Sequence, residues 1–88
     1  MPYIEPENRP KLDQFIEQLT QLILNEGELN YVISKLCFAL MMELGGKRYK
    51  NMNSVIGVLE CAKMEFYRRI AAEYEDKKII GNGDVFDD

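Results

Sequence analysis

The sequence has no histidine and no tryptophan, only two cysteines and only three prolines. Without histidine, acid–base chemistry at neutral pH falls to Glu, Asp, Lys, Tyr or Cys groups shifted by their surroundings. Cys37 and Cys61 lie far apart in apolar runs with no C-x-x-C spacing, which removes the common thiol-based zinc and redox motifs. They read as two buried free thiols, suited to a reducing cytoplasm. Neither has a base beside it in sequence, so a cysteine nucleophile has no activating group in view. No G-x-S-x-G, Walker loop or dinucleotide fingerprint is present. The longest mostly apolar stretch, Tyr31 to Met42, contains Ser34 and Lys35 and falls short of the roughly 20 residues that cross a bilayer. "MPYIEPENRP" has neither the basic start nor the apolar centre of a secretory leader. The expectation is a soluble cytoplasmic protein with no membrane partner.

At 88 residues the chain is one small domain. A chain of that size buries only about 60% of the surface its unfolded form exposes, so its core needs a supplement. Disulfides, metals and oligomerisation are the usual ones. The cysteine spacing and the lack of histidine set aside the first two. Self-association remains.

Net charge is −4, unevenly spread. Residues 1–28 hold six acids and two bases, and residues 29–50 hold one acid and four bases. Residues 51–80 balance, and residues 81–88 add three acids. An acidic whole argues against long nucleic acid, which needs a basic face for its phosphates. A local basic segment still suits a small anion, or the acidic N-terminal helix of a neighbouring copy.

Periodicity predicts an all-α fold of two shorter helices and one long one. In the first, over residues 8–26, Leu12, Phe15, Ile16, Leu19, Leu22 and Ile23 form one apolar stripe, with Asn8 as cap and Gly27 as stop. The second, over residues 29–44, is apolar nearly all round, from Tyr31 and Val32 to Met41, Met42 and Leu44. Such a helix has to be covered on most sides. Two other helices cannot do that alone, so another subunit is expected to help. The third, over residues 53–76, carries Val55, Ile56, Leu59, Ala62, Phe66, Ile70 and Tyr74 on one face and charge on the other. Residues 77–88 form a tail, in which Asn82-Gly83 between Ile79-Ile80 and Val85-Phe86 reads as a small hairpin, with residues 2–4 as an added strand.

The densest positive charge is "GGKRYKNMN", residues 45–53. Lys47, Arg48 and Lys50 precede a helix start expected at Asn53, where unpaired amides and the dipole favour an anion. Tyr49 offers a ring face, and Asn51 and Asn53 read as caps or ligand donors. The bland alternative is a solvated link between helices. Arg68 and Arg69 lie too far along the third helix to join this loop within one chain, but an antiparallel pair of chains would bring them near it. Their bland alternative is pairing with Glu65. A magnesium-dependent nucleotide pyrophosphatase of the MazG type needs acidic residues at helical spacing on two facing helices. The only helical acidic pair at i, i+3 is Glu73 and Asp76, at a helix C-terminus beside Lys77 and Lys78, so the enzyme reading ranks last.

"LNYVISKL", "SVIGVLECAKMEFYRRIAAEYEDKKI" and "NGDV" resemble a family of short tailed-phage and prokaryotic proteins without an assigned function. The resemblance spans about Leu29 to Val85, and "VIGVLECAKMEFYRR" is its most specific part. It shifts weight from the 45–52 loop to Tyr67, Arg68 and Arg69. A phage setting implies anti-defence roles. One is a non-catalytic sponge for a cyclic nucleotide signal, of a type whose known members are compact oligomers with interfacial Arg, Lys and aromatic residues. The other is a module that grips a host defence protein. The reading is therefore a cofactor-free homo-oligomer, not an enzyme, that sequesters a cyclic (oligo)nucleotide, with protein binding as the alternative.

Overall fold

The structure, a computed structural model, describes residues 3–86. After a 3-10 turn, Pro6–Asn8, come α1 (Pro10–Leu22), α2 (Glu26–Glu43) and α3 (Tyr49–Phe66). A π-helical turn, Tyr67–Ala71, then joins α3 to α4 (Ala72–Asn82) without a break. The third helical segment thus runs from Tyr49 to Asn82, or about 50 Å at 1.5 Å per residue. That equals the molecule's longest dimension of 50 Å. The fold is all-helical with a long last helix, and no strand occurs among the described residues.

Local chemistry moves several expected boundaries. Asn8 sits inside the 3-10 turn and does not cap α1, whose first residue is Pro10 after Arg9. A proline is preset for that position because its φ is already helical and its missing N–H has no intrahelical partner there. Gly27 does not stop α1. It lies within α2, which starts at Glu26 behind Asn25. The Asn25 side chain accepts from the Glu28 amide at 2.9 Å, and the Glu28 carboxylate accepts from the Leu24 amide at 2.8 Å. This is close to a capping box, and it draws the helix start three residues earlier than the apolar pattern does.

Gly45 and Gly46, at φ +127° and +104°, end α2. Their amides donate to the carbonyls of Met42 and Met41, the paired bonds of a Schellman stop. The chain then turns at once, so α3 begins at Tyr49 and not at Asn53. Asn51 is helical and turned inward, with its Nδ2 donating to the Gly46 carbonyl at 3.0 Å. At the far end Gly83 (φ +92°) follows the last helical residue. Asn82-Gly83 is a helix stop rather than a hairpin turn, and Ile79 and Ile80 belong to α4. The left-handed freedom of glycine serves either purpose. Of the strand expected at residues 2–4, residue 2 lies outside the described residues, and Tyr3 and Ile4 are not in a strand.

Packing is sparse. α2 and α3, joined by a short link, touch each other sparsely, while among the described residues α1 rests only on the turn before it. Among the described residues only Val55 and Asn51 are buried. The stripe of α1 stays open, with Phe15 59% exposed, and so does the all-round apolar surface of α2, including Tyr31, Leu36 and Phe38. Cys37 is half-buried and Cys61 exposed, against the expectation of two buried thiols; both are free. The chain exposes 8070 Å². A compact chain of this mass exposes about 5,400 Å². Its radius of gyration is 17.0 Å, where about 12 Å is usual for this length. The excess is about 2,700 Å² by the same scaling, and the exposed large apolar side chains of α1, α2 and α3 lie within the surface so left open.

Candidate functional site

The candidate residues fall into two groups at opposite ends of α3. At its start, Arg48 is the N-terminal flanking residue and makes no side-chain capping bond. The first-turn amides are therefore left for solvent or an anion. Lys47 sits with its ammonium 5.8 Å from the Phe38 ring centroid, holding it against the end of α2. Lys47, Arg48, Tyr49 and Lys50 all face outward. Asn51 does not. Only 5% exposed, it spends its side-chain amide on the Gly46 carbonyl in the link between α2 and α3. Asn53, one turn into the helix, is exposed and caps nothing.

Tyr67, Arg68 and Arg69 lie about 28 Å further along the axis, so one chain does not join the two groups. All three fall on the π-helical turn, where the Ala72 amide donates to the Tyr67 carbonyl across five residues rather than four. That extra residue widens the helix and changes which side chains share a face. Glu65 pairs with Arg68, three residues on, at 3.0 Å, and not with Arg69. Among the described residues Arg69 makes no ion pair.

Arg68 also reaches the Tyr3 hydroxyl at 3.4 Å, while Tyr3 donates to Glu65. This contact spans 62 positions and lays the N-terminal arm on the end of α3. Arg9 Nε donates to the Ile4 carbonyl at 3.0 Å and holds the arm's other side. Tyr67 donates to Glu75, two turns ahead. Tyr3, Cys61, Met64, Glu65, Tyr67 and Arg68 line an open groove of about 790 Å³. A second groove, about 510 Å³, lies between α2 and α3 and is lined almost wholly by apolar side chains.

The electrostatics follow from these bonds. Hydrogen bonds from Tyr3 first and Arg68 second hold the Glu65 carboxyl below its ordinary 4.5. The Glu65 hydrogen bond raises Arg68, and the bond to Glu75 raises the Tyr67 phenol above its ordinary 10.0. A depressed carboxylate contributes above its ordinary pKa and loses that contribution as pH falls through the lower, folded value. The Tyr3 ring resonances should therefore shift on acidification with a midpoint below 4.5, as the arm lets go. Glu65→Gln should remove that transition and show the released shifts already at neutral pH. A Tyr3 ring that ignores both acid and the substitution would mean the arm is held elsewhere. The phenol of Tyr67 behaves oppositely, its bond persisting below pH 10 and failing as pH rises through the raised value.

Tyr3 had no signal in the sequence, since nothing local links it to Glu65. Glu75 was equally hidden, because its distance from Tyr67 suits a helix only with the widened turn between them. Among the described residues no three Cys, Asp or Glu side chains gather as a metal site requires. No helix among them is long and apolar enough to cross a membrane. Neither the curated proteins nor the solved structures hold a match to this chain. A family model described as "Domain of unknown function (DUF6899)" matches residues 1–85, and the chain belongs to that family.

Proposed function

We propose that this chain is the protomer of a non-catalytic, cytoplasmic homo-oligomer that binds and sequesters a small anionic ligand, most concretely a cyclic oligonucleotide, between its subunits. The observation that carries the reading is the π-helical turn at Tyr67–Ala71. It is the one irregularity of a helix otherwise unbroken from Tyr49 to Asn82, and it falls on Tyr67, Arg68 and Arg69. Such turns cost helix stability and are found mostly where they aim side chains at a function. A tyrosine ring with two guanidiniums is the chemistry that stacks a base and pairs a phosphate. Arg68 arrives prepositioned by Glu65, and Arg69 is open to a ligand. The second cationic group, Lys47, Arg48 and Lys50, is too far away in one chain and can share an anion with Arg69 only across a subunit boundary.

Thermal melting against a panel of cyclic di- and trinucleotides tests this. A one-site ligand at 100 times its Kd adds about 2.7 kcal/mol. For a domain this small that raises the melting temperature by roughly 10 °C or more. The ligand should return chemically intact after heat release, and Arg69→Ala should abolish retention while leaving the unliganded melting temperature unchanged. A flat panel sinks the reading for those ligands. A magnesium-dependent change in the nucleotide sinks its non-catalytic part.

The open, all-round apolar surface of α2 favours a second reading, a module that grips a phage or host defence protein. It predicts no nucleotide retention and one stoichiometric protein partner.

A further inference from the structure

We infer that the groove between α2 and α3 is filled by α1 of a second copy of this chain, so that the subunits exchange their N-terminal helices. The inference rests on the oligomeric part of the reading above and adds which faces meet.

Three observations converge on this occupant. First, the shapes match. The groove follows α2 from Asn30 to Met41, about 17 Å of helix, with Met52 to Leu59 of α3 as its other wall. α1 is 13 residues long, about 20 Å, and its stripe from Leu12 to Leu22 is about 15 Å. Within its own chain α1 rests on nothing but the preceding turn, so the stripe needs cover and the groove needs a filling. Second, the charges match. Four acids, Glu5, Glu7, Glu26 and Glu28, flank α1 in sequence, while Lys47 sits 5.8 Å from the ring of Phe38, a residue of the groove. Third, the area matches. Obligate homodimers bury roughly 2,000–5,000 Å² in total. The excess of about 2,700 Å² on each chain, from the surface scaling of compact proteins, gives about 5,400 Å² for a pair, at the upper end of that size class. A reciprocal exchange is isologous, with each copy giving α1 and receiving one, and it closes as a dimer.

Cysteine cross-linking separates this arrangement from its rivals. Cys37 lies near the middle of the groove, and Ile16 lies near the middle of the α1 stripe. The two therefore meet whichever way the helix runs. In a chain carrying Cys61→Ser and Ile16→Cys, mild oxidation should give a disulfide-linked dimer on a non-reducing gel. Adding Cys37→Ser should remove it, and Glu17→Cys, on the outer face of α1, should not form it. Leu19→Cys, one turn on, serves if Ile16→Cys does not fold. A disulfide closed within a single chain would overturn the exchange, because α1 would then occupy its own groove. So would a dimer that survives Cys37→Ser, because α1 would then pair with α1. A parent protein that is monomeric by light scattering sinks both this inference and the oligomeric reading. An oligomer without the Ile16–Cys37 link sinks only the inference.

Discussion

Ile56→Asp should lower the melting temperature by more than about 12 °C and leave light scattering at the monomer mass, although Ile56 is 61% exposed in a single chain. The size of the effect follows from what faces the residue. A substitution at a site that open changes stability by no more than about 0.5 kcal/mol when water is its only neighbour. Ile56, however, lines the groove between α2 and α3 with Met41, Val55 and Leu59. A carboxylate pressed against another helix there loses its water and finds no cation in the apolar lining. An uncompensated buried charge costs about 3–5 kcal/mol. In a domain under 100 residues, each kcal/mol moves the melting temperature by about 4–8 °C. Ile33→Asp, across the same groove, should act in the same way. Glu17→Lys, on the outer face of α1, should not. If Ile56→Asp melts within 3 °C of the parent at equal protein concentration, this face looks onto solvent, and assembly through it is excluded.

Much of the fold was written in side-chain periodicity. The stripe of α1, the all-round apolar α2 and the long amphipathic α3 are there because burial selects spacing, and spacing survives in sequence. What escaped had other causes. Asn25-Glu26-Gly27-Glu28 carries an N-x-x-E capping signature, but Gly27 drew the reading toward a helix stop, since glycine fits both a stop and a helix interior. Asn82-Gly83 misled for a related reason, because one positive φ can serve a hairpin or a C-cap. The π-helical turn has no sequence signature of its own. The Tyr3 contact to Glu65 and Arg68 joins residues more than 60 positions apart, which no local pattern encodes. Of the candidate site residues, Tyr67, Arg68 and Arg69 proved to share one widened turn. Lys47, Arg48, Tyr49 and Lys50 proved to share the uncapped start of α3. The cap reading failed for both asparagines, since Asn51 turns inward onto the Gly46 carbonyl and Asn53 lies a turn inside α3.

That inward turn makes Asn51→Ala the second large effect, expected to lower the melting temperature by roughly 5–20 °C. The Gly46 carbonyl accepts from two donors, the Arg48 amide at 2.8 Å and Asn51 Nδ2 at 3.0 Å. Together they close the link that leads from α2 into α3. Removing the amide group deletes a shielded hydrogen bond and leaves a small void, and breaking such a bond costs about 1–3 kcal/mol when the partner stays behind. Asn51→Asp should be worse despite its identical shape, because a carboxylate has no N–H to donate and would face the carbonyl oxygen with like charge. Asn53→Ala, exposed on the next turn, should stay within about 0.5 kcal/mol of the parent. Gly46→Ala isolates the backbone component. A Cβ there meets nothing within 4 Å, so its penalty is the cost of φ +104° alone, about 1–2 kcal/mol. A ligand-donating Asn51 would give the reverse pattern, with unchanged melting and lost ligand binding on Asn51→Ala. The two roles therefore part on one substitution, because a bond that closes the link is felt without ligand and a bond to ligand is not.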